Sequence, residues 1–505
     1  MLSRGRGRAG QAGKFLAGAV LLAPLLIYWL LPTRDVYWDG VAFAIQIEKA
    51  GADMGPLVHP NHLLYEVFGH WLFAASQSAG ASLRALFLLQ FCNGFAAFLC
   101  AVLLYAILRK TGTGAFHAAC WALVFAFSGT WWKFATDADA YIIAILFLLA
   151  AYALMLGGKP RPAAVALAHT GGMLFHELAV FFFPAAIWKL YRQSSGSRAQ
   201  KIRVAGEYFA LAALLTTAVY RYMFRRARLP DKRFWSWVTA YSPDAQFSFN
   251  PLRNLALTLA GTARLFFTGR ADLVTTRPIE IAGLILLAAI GALLLIRFRS
   301  PRAAIHRFGS DPRRGRDLIP LVIWAGSYVL FLFFWMPQNT FYRLFYLPPV
   351  VLLLGAAAPQ REAPRPQLAL AAAFVFLWNF TFSIYPRSRI ESNPVLTFAL
   401  KQKSAWRPGD GVAFLRFVPD LWTICYFNPQ ASWIGLLEAG PAELDGWRER
   451  LGHGGGRLWL DETAFAALNG TAAGRSWIAQ NIDFSGSIDS RLGKSRFRFY
   501  RVAAR

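Results

Sequence analysis

The sequence predicts a polytopic α-helical membrane protein carrying a small extracytoplasmic α/β domain at its C-terminal end. Three observations carry this reading. Of the 505 residues, 56% are apolar and only 16% are charged, against about 25% charged in a soluble domain. The apolar residues, with 43 phenylalanines and 18 tryptophans among them, fall in long blocks, several of which reach the about 20 residues needed to cross roughly 30 Å of hydrocarbon. Arginine and lysine gather in short loops between the blocks, as the positive-inside rule asks of cytoplasmic loops. That distribution removes the nucleic-acid reading that a net charge of +26 invites, and the apolar load excludes a disordered chain.

The elements follow in order. Arg4, Arg6, Arg8 and Lys14 precede the apolar run Phe15–Leu31. The run is too long for a signal-peptide core and lacks a small-residue cleavage site, so it reads as an uncleaved first span with the N-terminus cytoplasmic. Further blocks lie at 83–108, 115–132, 140–156, 163–188, 204–224, 279–296, 318–336, 344–358 and 367–385. Arg109–Lys110, Lys159 with Arg161, the seven arginines from Arg297 to Arg316, and Arg361 with Arg365 mark cytoplasmic linkers. Block 163–188 breaks the alternation: a single crossing would put Lys189, Arg192, Arg198, Lys201 and Arg203 outside. Two short half-helices that enter and leave on the cytoplasmic side restore it, with His176–Glu177 at the break, and leave about nine full crossings.

Residues 1–387 then form the transmembrane domain, with two outer regions, 32–82 and 225–278. In the first, Leu63, Leu64, Val67, Phe68, Trp71 and Leu72 recur at helical spacing and leave His62, Glu66 and His70 on other faces, the pattern of a helix lying in the interface plane. In the second, Arg225, Arg226, Arg228, Lys232 and Arg233 stand beside Trp235 and Trp237, which suits a headgroup belt. Residues 388–505 form the outer α/β domain, with strands expected at Gly411–Val418, Trp422–Phe427, Leu458–Asp461 and Phe497–Val502 and a turn at Arg407-Pro408-Gly409-Asp410. The four cysteines, Cys92, Cys100, Cys120 and Cys425, offer neither a disulfide framework nor a CxxC metal site.

Acids are scarce, yet Asp35 and Asp39 follow the first span, and Asp137 and Asp139 lie between the third and fourth. Each pair has aromatic neighbours: Tyr37-Trp38 at the first, Trp131-Trp132 and Tyr141 at the second. One carboxylate at a span end is ordinarily just hydrated. Two such pairs on one leaflet read as walls of one outer pocket, where a carboxylate can act as general base on a hydroxyl or two can hold a divalent cation through oxygen ligands. Cations on the same side, Arg34, Lys133, Arg221, Arg225 and above all Arg343 in the loop Met336–Arg343, can grip a phosphate; the bland alternative is a snorkelling anchor. His59 and Asn61, at the Pro60-Asn61 turn, face the same pocket. His176 and Glu177, near mid-membrane, are costly to bury and so read as functional. A Walker loop, HExxH, GxSxG and a Rossmann glycine pattern are all absent from the sequence.

Tyr37-Trp38-Asp39-Gly40, followed by Leu57-Val58-His59-Pro60-Asn61-His62-Leu63-Leu64-Tyr65, resembles the first outer loop of GT-C superfamily membrane glycosyltransferases, and among them the bacterial relatives of protein O-mannosyltransferases. Ala138-Asp139-Ala140-Tyr141, Phe175-His176-Glu177, Trp335-Met336-Pro337-Gln338-Asn339 and the domain opening at Pro408-Gly409-Asp410 fit in the same order. The HPPG-like turn of that family is His-Pro-Asn-His here, and no acid follows Asp39-Gly40. The resemblance implies an inverting transfer of a sugar from a polyprenyl-phosphate donor to a hydroxyl acceptor (a glycan, lipid or protein) at the outer face of a bacterial inner membrane. Asp39 would match the catalytic base, and Asp139 would support it or a metal. A secondary transporter or flippase is the alternative, since transporters place paired ionisable groups near the midplane.

Overall fold

The computed structural model describes residues 22–51, 53–229, 233–240, 247–297, 312–357 and 366–503. The first part of Phe15–Leu31 and most of the basic linkers Arg297–Arg316 and Arg361–Arg365 lie outside the described residues. The chain divides into two compact units: Met1–Thr33 with Gln46–Pro386, and Arg34–Ile45 with Arg387–Arg505.

The first unit is helical. Residues 22–30 form α1; α2 (Trp38–Lys49) follows, its residues up to Ile45 counted in the second unit, and then come α3 (Tyr65–Ser78), α4 (Ala85–Lys110), α5 (Ala115–Ala126), α6 (Gly129–Ala135), α7 (Tyr141–Leu154), α8 (Pro162–Phe175), α9 (Phe183–Gln193) and α10 (Arg198–Arg226). Then come α11 (Phe234–Val238), α12 (Pro251–Phe266), α13 (Pro278–Arg297), α14 (Pro312–Phe334), α15 (Leu347–Ala357) and α16 (Pro366–Asn379). Among the described residues four helices are long and apolar enough to cross a membrane: Ala85–Lys110, Arg198–Arg226, Pro278–Ile296 and Pro366–Arg387. Other blocks expected as crossings are shorter helices.

Block 115–132 is not one helix. It breaks after α5, where Ser128 takes an extended conformation and donates through Oγ to the Val124 carbonyl at 2.6 Å. Gly129 restarts the chain in α6 at a point of close approach. A Cβ there would lie 2.4 Å from Thr268 Oγ1 and 2.5 Å from Asn379 Oδ1.

Helix α3 forms where the spacing predicts, and it buries a carboxylate along with its apolar residues Tyr65 and Val67. Glu66 is buried and its carboxylate lies 3.7 Å from His62 Nδ1, and the His70 ring meets the Ile47 carbonyl. Trp71, on the apolar stripe, is 61% exposed. Leu63 and Val67 of the same stripe are buried, and Leu64, Phe68 and Leu72 are half-buried, so Trp71 is the exposed position of a stripe otherwise packed into the unit.

Block 163–188 is interrupted at His176, whose φ of −159° and ψ of 126° end α8 and open a 3₁₀ turn, Glu177–Phe182, before α9. The Gln193 amide at the end of α9 donates to the Gly157 carbonyl, five residues before α8 begins. The two arms therefore start and finish at one end of the bundle, with His176 at the other end of α8.

In the second unit a five-stranded sheet has the order β2-β1-β3-β5-β4, formed by β1 (Gly411–Phe414), β2 (Ser432–Gly435), β3 (Leu458–Asp461), β4 (Ile482–Leu492) and β5 (Ser495–Val502). β1 pairs in parallel with β2 and β3, while β5 runs antiparallel to β3 and β4. Alternation sorts the core onto two faces. Val412, Trp459, Phe497 and Phe499 pack with Phe398 and Trp406, whereas Ala413, Leu458, Leu460 and Val502 pack with Leu444, Leu468 and Trp477. Segment Trp422–Phe427, expected as a strand, lies within a helix, Pro419–Phe427, the crossover between β1 and β2. Pro419 and Asp420 open that helix, and proline and an acid in a first turn are helix-starting signals.

The turn before β1 is built around Asp410. Its buried carboxylate accepts from the backbone N–H groups of Arg407 and Arg457, both at 2.9 Å, and from the Arg457 guanidinium at 2.5 Å. Burial pushes this carboxyl up, but those donors and the Arg457 charge outweigh it and hold the group below the usual carboxylate range. Gly409, at φ +93°, supplies the left-handed residue that the turn requires.

Two outcomes follow. Asp410→Ala, which strands a partly buried guanidinium and two backbone donors, should destabilise the C-terminal unit by about 3 kcal/mol, read as faster limited proteolysis after residue 387. Single cysteines introduced at Lys159 and Ser195 should be modified by an impermeant thiol reagent from the same side of sealed vesicles; labelling from opposite sides would contradict the hairpin.

Candidate active site

Within the first unit the polar groups converge where helices are interrupted. The segment Thr136–Ala140 joins α6 to α7, and α4 holds it by two amides three residues apart. Gln90 Nε2 donates to the carbonyls of Thr33 at 2.9 Å and Thr136 at 3.0 Å. Asn93 Nδ2 donates to the carbonyls of Asp137 at 2.8 Å and Asp139 at 2.7 Å, and reaches the Tyr65 hydroxyl at 3.3 Å. Asp137 and Asp139 are 0% and 2% exposed. Each turns one carboxylate oxygen onto the next backbone N–H, that of Ala138 or Ala140, at 2.8 Å. The pair stands just ahead of α7, whose N-terminal dipole favours negative charge.

Tyr141, the first residue of α7, carries the site onward. Its ring lies 4.9 Å from that of His176 and 5.9 Å from that of Tyr342, and His176 packs 5.2 Å from Phe345. His176 Nδ1 accepts from the Leu178 N–H at 3.2 Å. The 59–62 turn is pinned from both sides, by Tyr220 Oη donating to the Pro60 carbonyl at 2.7 Å and by the Leu64 N–H donating to the Leu174 carbonyl at 2.9 Å. His59 stacks on His62 at 4.6 Å, and His59 Nδ1 accepts from the Asn61 N–H. Burial, with the His59 and His176 rings beside it, holds His62 well below the ordinary histidine range, so this imidazole is neutral at pH 7.

The structure thus gathers His59, Asn61, Asp139 and His176 into one region, and adds Tyr65, Asn93, Tyr141 and Tyr342, which sequence reasoning did not single out as a set. Gln90 and Asn93 had a signal: two amides on one face of an otherwise apolar helix. Glu177 parts from its neighbour His176. It lines an apolar cavity of about 400 Å³ with Met173, Thr216, Tyr220, Phe331 and Trp335, and makes no hydrogen bond or ion pair among the described residues. Lys133 is half-buried on α6, its ammonium 5.6 Å from the Phe134 ring centre.

Arg343 lies inside the bundle with no exposure. It donates to the Pro337 carbonyl at 2.6 Å and the Tyr346 hydroxyl at 3.1 Å, and packs on Gly261, where a Cβ would meet its Nε at 2.3 Å. It ties down the 336–343 loop, in which Met336 is held at φ +49°. The open cations are elsewhere: Arg225, Arg226 and Arg228 line a cavity of about 520 Å³ with Asp53.

Asp39 and Tyr37 belong to the second unit. Both are half-buried, and Asp39 sits in the first turn of α2. Around them the Arg34 N–H donates to the Arg387 carbonyl at 2.7 Å, and Arg387 Nε donates to Asp35 at 3.1 Å. Among the described residues no group of three or more His, Cys, Asp or Glu side chains is arranged to hold a metal ion.

No family model matches the chain, and no curated protein matches it in sequence. Among solved structures, ArnT from Cupriavidus metallidurans bound to undecaprenyl phosphate superposes with a TM-score of 0.54 at 13% identity, over 97% of this chain and 98% of that one. The arabinofuranosyltransferase AftD from Mycobacteria aligns at 0.46 and 13% identity over 97% of this chain and 40% of its own, and the Archaeoglobus fulgidus oligosaccharyltransferase at 0.43 and 12% over 90% and 71%. The likeness to ArnT shows the fold, and it is the GT-C fold that the sequence resemblance implied.

Asn93→Ala should leave the buried carbonyls of Asp137 and Asp139 without a donor and cost about 1–3 kcal/mol, read as a lower unfolding temperature of the detergent-solubilised protein. An unchanged unfolding temperature would show that α4 does not hold this turn.

Proposed function

We propose that the chain is a membrane glycosyltransferase that moves a sugar from a polyprenyl-phosphate donor to a hydroxyl acceptor, with Asp39 as the general base. The observation that carries this reading is the buried Asp137–Asp139 turn, held by Asn93 ahead of α7 and faced by tyrosine and histidine rings, in a chain sharing the fold of a protein crystallised with undecaprenyl phosphate.

In this reaction the Asp39 carboxylate takes the proton of the acceptor hydroxyl as its oxygen attacks the anomeric carbon. The bond from that carbon to the phosphate oxygen breaks, the electron pair leaves with the polyprenyl phosphate, and the anomeric centre inverts. Asp139 supports the acceptor or the developing positive charge of the sugar. Asn61, His59 and His176, gathered in the first unit, offer hydrogen bonds to sugar hydroxyls. The phosphate is met by Lys133 and the Arg225–Arg228 group, while Arg343 acts by holding the loop that carries Tyr342. The reaction belongs to the outer face of a bacterial inner membrane, with the C-terminal unit on that side.

The test is release of free polyprenyl phosphate from a panel of polyprenyl-phosphate monosaccharides, with membrane extract as acceptor source. Asp39→Asn should lower turnover by about 10²–10⁴-fold while the protein stays monodisperse and thermally stable. Full turnover in that variant would remove Asp39 from the role. Absence of release from every donor by folded wild-type protein would overturn the transferase reading in favour of transport.

A further inference from the structure

At the end of the bundle where the hairpin arms start and finish, a cavity of about 690 Å³ opens between the ends of α4, α7, α9, α14 and α15. This is the end opposite His176, so the cavity is separate from the candidate active site. Lys110, Lys189 and Arg192 line it, and no aspartate or glutamate does among the described residues. Lys110 and Arg192 form no ion pair among the described residues, and both are exposed. Deeper in, the walls turn apolar through Leu321 and its neighbours, and Trp188, 39% exposed, stands at the rim.

Helix C-termini account for part of this. The ends of α4, α7 and α9 carry partial negative charge, which welcomes a cation at each. That effect explains cations at helix ends; it does not explain a cavity large enough for a ligand, cationic at its mouth and apolar below. We propose that the cavity binds the phosphate of an anionic phospholipid, with the acyl chains against the apolar walls. Lysine and arginine supply charge-assisted bonds to phosphate oxygens, basic pockets between transmembrane helices are suited to such headgroups, and a rim tryptophan sits at headgroup depth.

The test uses delipidated full-length protein in detergent, titrated with phosphatidylglycerol, with phosphatidylcholine of the same acyl chains, or with inorganic phosphate, and followed by native mass spectrometry and unfolding temperature. Wild-type protein should bind phosphatidylglycerol in preference to phosphatidylcholine. Lys110→Gln and Arg192→Gln should each weaken that binding about fivefold, and the double variant should lose the preference. Lys401→Gln/Lys403→Gln, two exposed lysines in the C-terminal unit, should keep it, and Arg192→Lys should retain more of it than Arg192→Gln. An undiminished preference in the double variant would overturn the proposal, as would equal loss in the Lys401/Lys403 control. Protection by inorganic phosphate alone that matches phosphatidylglycerol would assign the cavity to a free anion and overturn the lipid assignment.

Discussion

A helix interrupted inside a membrane leaves backbone N–H and C=O groups that no water can satisfy, and the first unit is organised around meeting that demand. The work falls to buried amides. Asn379 Nδ2 donates to the carbonyls of Phe127, Phe266 and Val375, and its Oδ1 accepts from the Thr268 N–H, so one side chain closes the ends of α5 and α12 together. Gln90 and Asn93 do the same for the turn between α6 and α7. Tyr328 Oη donates to the Leu178 carbonyl, and His176 Nδ1 takes the Leu178 N–H, at the hairpin break. Each amide sits in an apolar helix at a cost that only full hydrogen bonding offsets. The breaks are therefore fixed rather than loose, and the groups that stand at them are held to one geometry.

That rigidity is what gives the polar region its chemical character. Carboxylates at the start of α7 stand at the favourable end of its dipole and accept from backbone donors. His59 and His62 stack on one another, and His176 packs on the Tyr141 ring.

Legibility in the sequence divided along physical lines. Apolar blocks, the break at His176 and strand β3 were readable because each rests on local pattern: hydropathy, a polar pair in an apolar run, a short alternating segment between turns. Block 115–132 was not, since hydropathy is blind to a break whose cause is the approach of Thr268 and Asn379, both more than 130 residues away. Trp422–Phe427 is rich in β-favouring residues, and the proline and aspartate that start the helix around it outweighed them. Arg343 was legible as an arginine in an outer loop; that its guanidinium turns inward onto Pro337 and Tyr346 depends on Gly261, far off in α12. Asp39 and Asp139 both stood out by scarcity, but no spacing rule assigns them to different units of the fold.

The short helices have a consequence for the bilayer itself. At 1.5 Å per residue, the 12 residues of α5 and the 14 each of α7 and α8 span only about 18–21 Å, where the surrounding hydrocarbon is about 30 Å thick. Lipid meets such a mismatch by thinning, so helices this short ask the bilayer around the first unit to be thinner than it is elsewhere.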